Sequence, residues 1–164
     1  MRKVIAACFA IAVFGGAGVA QTKTATSAKK AAAPKKLELK NLPPAVQKTV
    51  QDELKGGEIR NIGRETEDGI AQYEVETMLN GKHRDFNVDT KGVLLVVEEE
   101  TAIDSIPAPA KAAILKKVGT GKLGMVETVK KNKGNEPLYE AGYTSKDGKK
   151  HEVLVKADGT ETKD

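Results

Sequence analysis

Residues 42–46 read LPPAV and residues 106–110 read IPAPA, and each stretch opens a segment that the chain contains twice. Each segment continues with apolar residues at four-residue spacing, a glycine stop, a Tyr-Glu pair, a Gly-Lys pair and a closing glycine. The copies differ by short insertions on either side of the tyrosine, where loops are expected because loops tolerate insertions. The sequence therefore predicts two tandem repeats, at 41–104 and 105–164.

Each repeat is predicted to begin with a short helix. In the first repeat the prolines at 43–44 suit a helix start, and Val46, Val50 and Leu54 share one helical face. The glycines at 56–57 readily adopt the left-handed conformation that ends helices. The second repeat follows the same plan with Ala110, Ile114, Val118 and Gly119.

The period of the apolar residues changes from four toward two after each helix, which is typical of half-buried strands. Residues 72–79 alternate, Asn80-Gly81 predicts a two-residue hairpin turn, and residues 84–89 return as the next strand. Residues 93–97 read VLLVV, which predicts a strand buried on both faces that lies centrally and joins the two sheets. Residues 160–164 are polar, so the last strand of the second repeat is expected to be short, polar or absent. The fold class is α+β, with each repeat a short helix followed by a three- to four-stranded antiparallel meander sheet.

Residues 1–20 have the pattern of a secretory signal peptide. Arg2 and Lys3 precede an apolar stretch at 4–14, and small residues lead to a cleavage point near Ala20. An uncleaved anchor is the alternative, but the apolar stretch is shorter than the roughly 20 residues that span a bilayer. Cleavage removes Cys8, the single cysteine, so the mature chain is expected to have no disulfide, no thiolate metal site and no transmembrane segment. The expected location is periplasmic or secreted.

Residues 21–40 are rich in lysine and alanine and are predicted to be a disordered tether, because they contain few large apolar side chains to bury. The whole chain carries a net charge of +4. That excess lies in the signal peptide and the tether, so the repeats themselves are mildly acidic. A lysine-rich tether can be weakly attracted to anionic membrane surfaces, but no nucleic-acid partner is expected, since no aromatic residues interleave the lysines.

Four motifs together resemble a known family. They are LPPAV at 42–46, Tyr73-Glu74-Val75, Gly81-Lys82 and DTKGV at 89–93, within a duplicated segment that follows an export signal. In this order they resemble the PepSY-like domains, exported bacterial modules whose fold is similar to that of the β-lactamase inhibitor protein. The resemblance implies a noncatalytic periplasmic or secreted module that binds or restrains another protein, such as a protease. It brings no active-site residue with it, because the shared positions are helix starts, turns and core.

Catalytic and metal-binding patterns are weak in this chain. No serine lies in a nucleophile elbow and no phosphate-binding glycine loop occurs, so neither an enzyme nor a cofactor is predicted. His83 and Asp85 share one strand face, and an alternative function is a metal or small-ligand sensor that uses His83 and neighbouring acids, although a closed zinc site needs about four donors. The three glutamates at 98–100 are interpreted as a solvated strand end, because consecutive strand residues cannot all face one calcium ion.

The sheet face turned away from the helices is the best candidate for recognition. It combines acidic and apolar side chains, as protein interfaces do, and the expected partner is an envelope or secreted protein or peptide. The alternative is that the two repeats pack these faces against each other. The predicted partner-binding residues are Glu74, Glu76, Met78, Asp85, Asn87, Leu138, Glu140, Glu152 and Leu154.

Overall fold

The computed structural model describes residues 37–134 and 136–163, so the predicted signal peptide and most of the predicted tether lie outside the described residues. A helix and four strands follow each other along the chain, and then a second helix and four more strands. The elements are α1 (Pro44–Leu54), β1 (Glu58–Glu67), β2 (Ile70–Leu79), β3 (Lys82–Asp89), β4 (Leu94–Glu100), α2 (Ala108–Val118), β5 (Lys122–Lys131), β6 (Leu138–Thr144), β7 (Lys150–Val155) and β8 (Glu161–Thr162).

The strands of the described residues form one antiparallel sheet in the order β1 to β8, in which each strand pairs with its neighbours in sequence. β4 pairs with β5 from Val96 opposite Lys131 to Glu100 opposite Glu127. The apolar stretch at 93–97 therefore leads into a central strand, as predicted, and the alternative of two sheets packed face to face is excluded. β8 contains two residues, so the last strand is short, as expected.

Both helices pack on one face of the sheet and bury two separate clusters of apolar side chains. In α1 the inward residues are Val46 and Val50, and in α2 they are Ala110, Ile114 and Val118. The first cluster contains Leu42, Val46, Val50, Ile62, Tyr73, Val75, Phe86, Val88 and Val97. The second contains Ile106, Ala110, Ile114, Val118, Val126, Ala141, Val153 and Val155.

Three local predictions need correction. The folded part begins before residue 41, because Leu37 and Leu39 pack against the first cluster. The stretch 93–97 is not buried on both faces, since α1 covers only one of them and Val93 is 45% exposed. Helix α1 ends at Leu54, and the left-handed residue that caps it is Lys55, with φ 51°, rather than a glycine.

Two glycine turns pack directly against the helix starts. Gly92 has φ 87°, and a Cβ atom placed on it would lie 2.7 Å from the carbonyl oxygen of Ala45. Gly159 has φ 84° and would meet the carbonyl oxygen of Pro109 at the same distance. The hydroxyl of Thr49 also donates a hydrogen bond of 2.6 Å to the carbonyl oxygen of Gly92. Each turn therefore fixes the distance between its helix and the ends of the two strands that the turn connects.

This contact predicts that Gly92→Ala is more destabilising than an alanine at another glycine with positive φ. Gly148 is the matched control, because its φ is 82° and nothing lies within 4 Å of an added Cβ. Gly148→Ala should cost about 1 kcal/mol for the left-handed backbone, whereas Gly92→Ala should cost about 2–4 kcal/mol because steric overlap is added. Urea unfolding of the full chain measures both. Equal losses would show that the turn and helix can separate without cost.

Candidate functional site

The face of the sheet opposite the helices is named here the open face, because neither α1 nor α2 packs on it. Residues paired across antiparallel strands point to the same side of a sheet. Val75, Phe86 and Val97 point toward the helices, since all three lie in the first buried cluster. The residues beside them in sequence, such as Glu74, therefore point to the open face.

The strand register places every sequence-predicted candidate on the open face. Glu74 pairs with Asn87, and Met78 with His83. Glu76 lies opposite Asn61, whose amide donates a hydrogen bond of 3.0 Å to its carboxylate. The remaining pairs are Asp85 with Glu98, Leu138 with Val129, Glu140 with Leu154, and Glu152 with Gly142.

The main feature of the open face is carboxylates that directly oppose one another. Asp85 on β3 lies opposite Glu98 on β4. Glu100 on β4 lies opposite Glu127 on β5, and Glu127 lies opposite Glu140 on β6. Like charges directly opposite each other on a sheet are destabilising. The centre of the open face therefore concentrates negative charge across four neighbouring strands.

Burial and this crowding raise the pKa of several of these carboxyls. Burial, followed by Glu140 and other nearby acids, raises the pKa of Glu98 to about 8. Burial and neighbouring carboxylates raise the pKa of Glu74 to about 7 and that of Glu127, which is 9% exposed, to about 7. Burial also raises the pKa of Asp85, although a hydrogen bond of 2.8 Å from the backbone N–H of Thr77 opposes this shift. Glu74, Glu98 and Glu127 therefore gain protons near neutral pH.

Apolar side chains adjoin the acids on the same face. Val129 lies opposite Glu98 on one side and opposite Leu138 on the other. Leu154 lies opposite both Glu140 and Thr162. The open face therefore changes from acidic over β2 to β5 to partly apolar over β5 to β7, where Val129 and Leu154 are only 2% and 7% exposed and Leu138 is half-buried.

The sequence prediction missed Glu98, Glu100 and Glu127. The glutamates at 98–100 were interpreted as a solvated strand end, but the pleat divides them between the two faces. Glu98 and Glu100 lie on the open face, whereas Glu99 points to the helix side and accepts a hydrogen bond of 3.1 Å from Arg84. The alternation of β5 could have placed Glu127 on a face, but its proximity to Glu100 depends on a pairing between distant segments.

The geometry does not favour the alternative of a metal sensor. Within residues 37–134 and 136–163, no group of three or more histidine, cysteine, aspartate or glutamate side chains is arranged to hold a metal ion. The backbone N–H of His83 donates to Glu100 at 3.0 Å, and the ring of His151 stacks on Tyr143 with centroids 5.1 Å apart.

The same described ranges contain no helix long and apolar enough to cross a bilayer.

Comparisons with known proteins identify the fold. No protein-family model and no curated protein matches the chain. Solved structures do: a protein of Bacteroides eggerthii named as a predicted periplasmic protein aligns with a TM-score of 0.60 and 15% identity, over 74% of this chain and 86% of that one. A DUF2874 family protein of Bacteroides ovatus aligns with a TM-score of 0.57 and 14% identity, over 74% and 85%. A BLIP-like protein of Bacteroides fragilis aligns with a TM-score of 0.53 and 15% identity, over 74% and 83%.

The chain has a BLIP-like fold. These structures share 14–15% of their residues with the chain, a level at which the likeness concerns the backbone arrangement alone. The α+β class and the expected likeness to the β-lactamase inhibitor protein fold are therefore confirmed, and the use of the open face has to be argued from its own side chains.

The raised pKa values predict that mild acid stabilises the fold. A carboxyl whose pKa is higher in the folded state is protonated there first, so the free energy of unfolding rises as the pH falls from about 8 toward 4.5. Glu98→Gln should raise the free energy of unfolding at the alkaline end of this range by about 1–2 kcal/mol, after allowance for solvent screening. At the acidic end it should have little effect. Urea unfolding across the range measures both.

The matched control is Asp68→Asn, at an exposed position in the β1–β2 turn, where asparagine also tolerates the positive φ of 47°. It should change the free energy of unfolding by less than about 0.5 kcal/mol at either pH. A destabilising effect of Glu98→Gln at the alkaline end would show that the Glu98 carboxylate is held by favourable contacts rather than by repulsion.

Proposed function

We propose that this protein is an exported, noncatalytic module that binds a protein or peptide of the cell envelope through its open face. The observation that carries the proposal is the direct opposition of carboxylates across β3 to β6. Opposed like charges lower the stability of the fold, and a partner of opposite charge relieves their repulsion when it binds. The partner is therefore basic.

The apolar side chains on the open face refine the partner further. Protein interfaces place a few apolar contacts within a polar rim. Leu138 and Met78 are the half-buried apolar residues of the open face, and Val129 and Leu154, which are 2% and 7% exposed, lie beside Leu138 and Glu140. A segment with lysine or arginine residues next to one or two large apolar residues matches this arrangement. Glu74, Glu76, Met78, Asp85, Asn87, Glu140 and Glu152 complete the proposed contact surface.

The origin of the fold supports the same proposal. The repeated order of a helix and four strands, with Gly92 and Gly159 in the same contact at each helix start, supports duplication of a PepSY-like unit. The duplicated features are turns and core, so a repeated catalytic centre is not expected. The BLIP-like protein among the structural neighbours has a name that refers to an inhibitor, and inhibition of a protein by binding agrees with a noncatalytic role. Export follows from the predicted signal peptide.

Site-specific photo-crosslinking tests the use of the open face. Benzoylphenylalanine placed at Asn87, on the open face, should yield a covalent adduct with an envelope protein when the full chain is expressed in a bacterial host and exported. The same probe at Leu115, which is exposed on α2, should yield none. Adducts from Leu115 and none from Asn87 would mean that the helix side is the binding surface.

Charge reversal provides the second arm of this experiment. Glu76→Lys should reduce the adduct formed at Asn87 by about tenfold or more, because the partner is basic and the reversal lies within the acidic surface. Asp52→Lys is the matched control, since it makes the same change of charge at an exposed position of α1. Equal yields from both variants would contradict a basic partner.

A further inference from the structure

A second surface feature lies on the opposite side of the sheet, beside the carboxyl end of α1. It is a cleft of about 290 Å³ above β4 and the end of β5, beside the first buried cluster. It lies at the small end of the range for ligand-binding pockets. The residues that line it are Glu53, Lys55, Arg84, Leu94, Leu95, Val97, Glu99, Lys130, Lys131 and Asn132.

The base of the cleft is organised by a buried arginine. The Arg84 side chain is 4% exposed. It donates at 2.6 Å to the carbonyl oxygen of Glu53, at 2.6 Å to the carboxylate of Glu53 and at 3.1 Å to the carboxylate of Glu99. Lys130 donates to the second oxygen of Glu99 at 2.9 Å. Both acids of the cleft are thus engaged by cations of the protein itself.

The remaining charge of the lining is positive. Lys55, Arg84 and Lys130 outnumber the two glutamates, whereas Lys131 pairs with Val96 and points to the open face. The ammonium of Lys55 is 3.6 Å from Glu53 and its side chain is 55% exposed, and the side chain of Lys130 is 57% exposed. Both lysines are paired with a glutamate, but exposed ion pairs contribute little free energy, so the two lysines can also contact an added anion. This sign is opposite to that of the open face.

The floor of the cleft supplies an apolar surface. Leu94, Leu95 and Val97 of the β4 region line it, and Leu94 and Leu95 are only partly buried. At the position that the sequence repeat aligns with Arg84, the second half has His151, which is exposed and stacked on Tyr143. The cationic base is therefore specific to this half of the molecule.

We propose that this cleft binds a small carboxylate that carries an aliphatic chain. The aliphatic chain lies on Leu94, Leu95 and Val97, and the carboxylate lies between the rim lysines, Lys55 and Lys130. A neutral alcohol with the same chain loses the charge interaction, and a cationic amphiphile is repelled by the positive lining. The proposal does not depend on the use of the open face, because the two surfaces lie on opposite sides of the sheet.

Titration of the ¹⁵N-labelled full chain with decanoate, followed by NMR and kept below the concentration at which micelles form, tests this proposal. Saturable shifts are expected for the amides of Lys55, Leu95 and Asn132. Lys130→Glu and, separately, Lys55→Glu should each weaken decanoate binding by about tenfold, a change of about 1.4 kcal/mol. Lys122→Glu, an exposed position on the same strand β5, is the matched control and should change it by less than about twofold.

Two further ligands separate the proposed mode from nonspecific adsorption. Decanol should bind more weakly than decanoate, and decyltrimethylammonium should leave the cleft amides unshifted. The dispersion of each variant's NMR spectrum shows that it remains folded. The proposal is overturned if decanoate causes no saturable shifts, if its shifts lie mainly on the open face, or if both charge reversals bind it as the unaltered chain does.

Discussion

The pairing of β4 with β5 is the interaction on which the rest of this structure depends. The two clusters of buried side chains have no residue in common, and each is covered by its own helix. The ladder from Val96 opposite Lys131 to Glu100 opposite Glu127 continues the hydrogen bonding of one half into the other. It makes a single eight-stranded sheet from two small α+β halves, each of which would otherwise be marginal because small domains bury a low fraction of their surface.

The register of this ladder also determines the chemistry of both sides of the molecule. Successive strand residues point to opposite faces, so the three consecutive glutamates of β4 are divided between the two faces of the sheet. Glu99 points to the helix side, where Lys130 and Arg84 bind it and hold its pKa below the usual range. Glu98 and Glu100 point to the open face, where they face other acids. A shift of one residue would exchange the two sets.

The parts of the fold that depend on local sequence could be predicted. The prolines before α1 and α2, the four-residue spacing of Val46 and Val50, and the Asn80-Gly81 turn act within a few residues, and the structure confirms the elements that they indicate. The central place of the fourth strand could also be predicted, because its apolar residues are incompatible with an exposed edge.

The crowded acids could not be predicted, for a physical reason. Glu127 lies on a strand that begins more than twenty positions after β4 ends, and its closeness to Glu100 depends on a register that no local pattern specifies. The alternation of β3 puts Arg84 on the same side as Phe86 and Val88, but its bonds to Glu53 and Glu99 depend on how α1 sits over the sheet. Pairing between distant segments is decided by the packing of the whole molecule.

The opposed carboxylates link the folding of this protein to its proposed binding through the same protons. Protonation removes the repulsion around Glu98 and Glu127, so it stabilises the fold. It also removes the negative charge that a basic partner would contact, so it weakens association. A bound cationic partner lowers the pKa of these carboxyls and displaces their protons, and by linkage its affinity falls as the pH falls through about 7 to 8. Stability and affinity therefore change in opposite directions with pH, whereas an acidic surface with ordinary pKa values would keep its affinity until well below neutral pH.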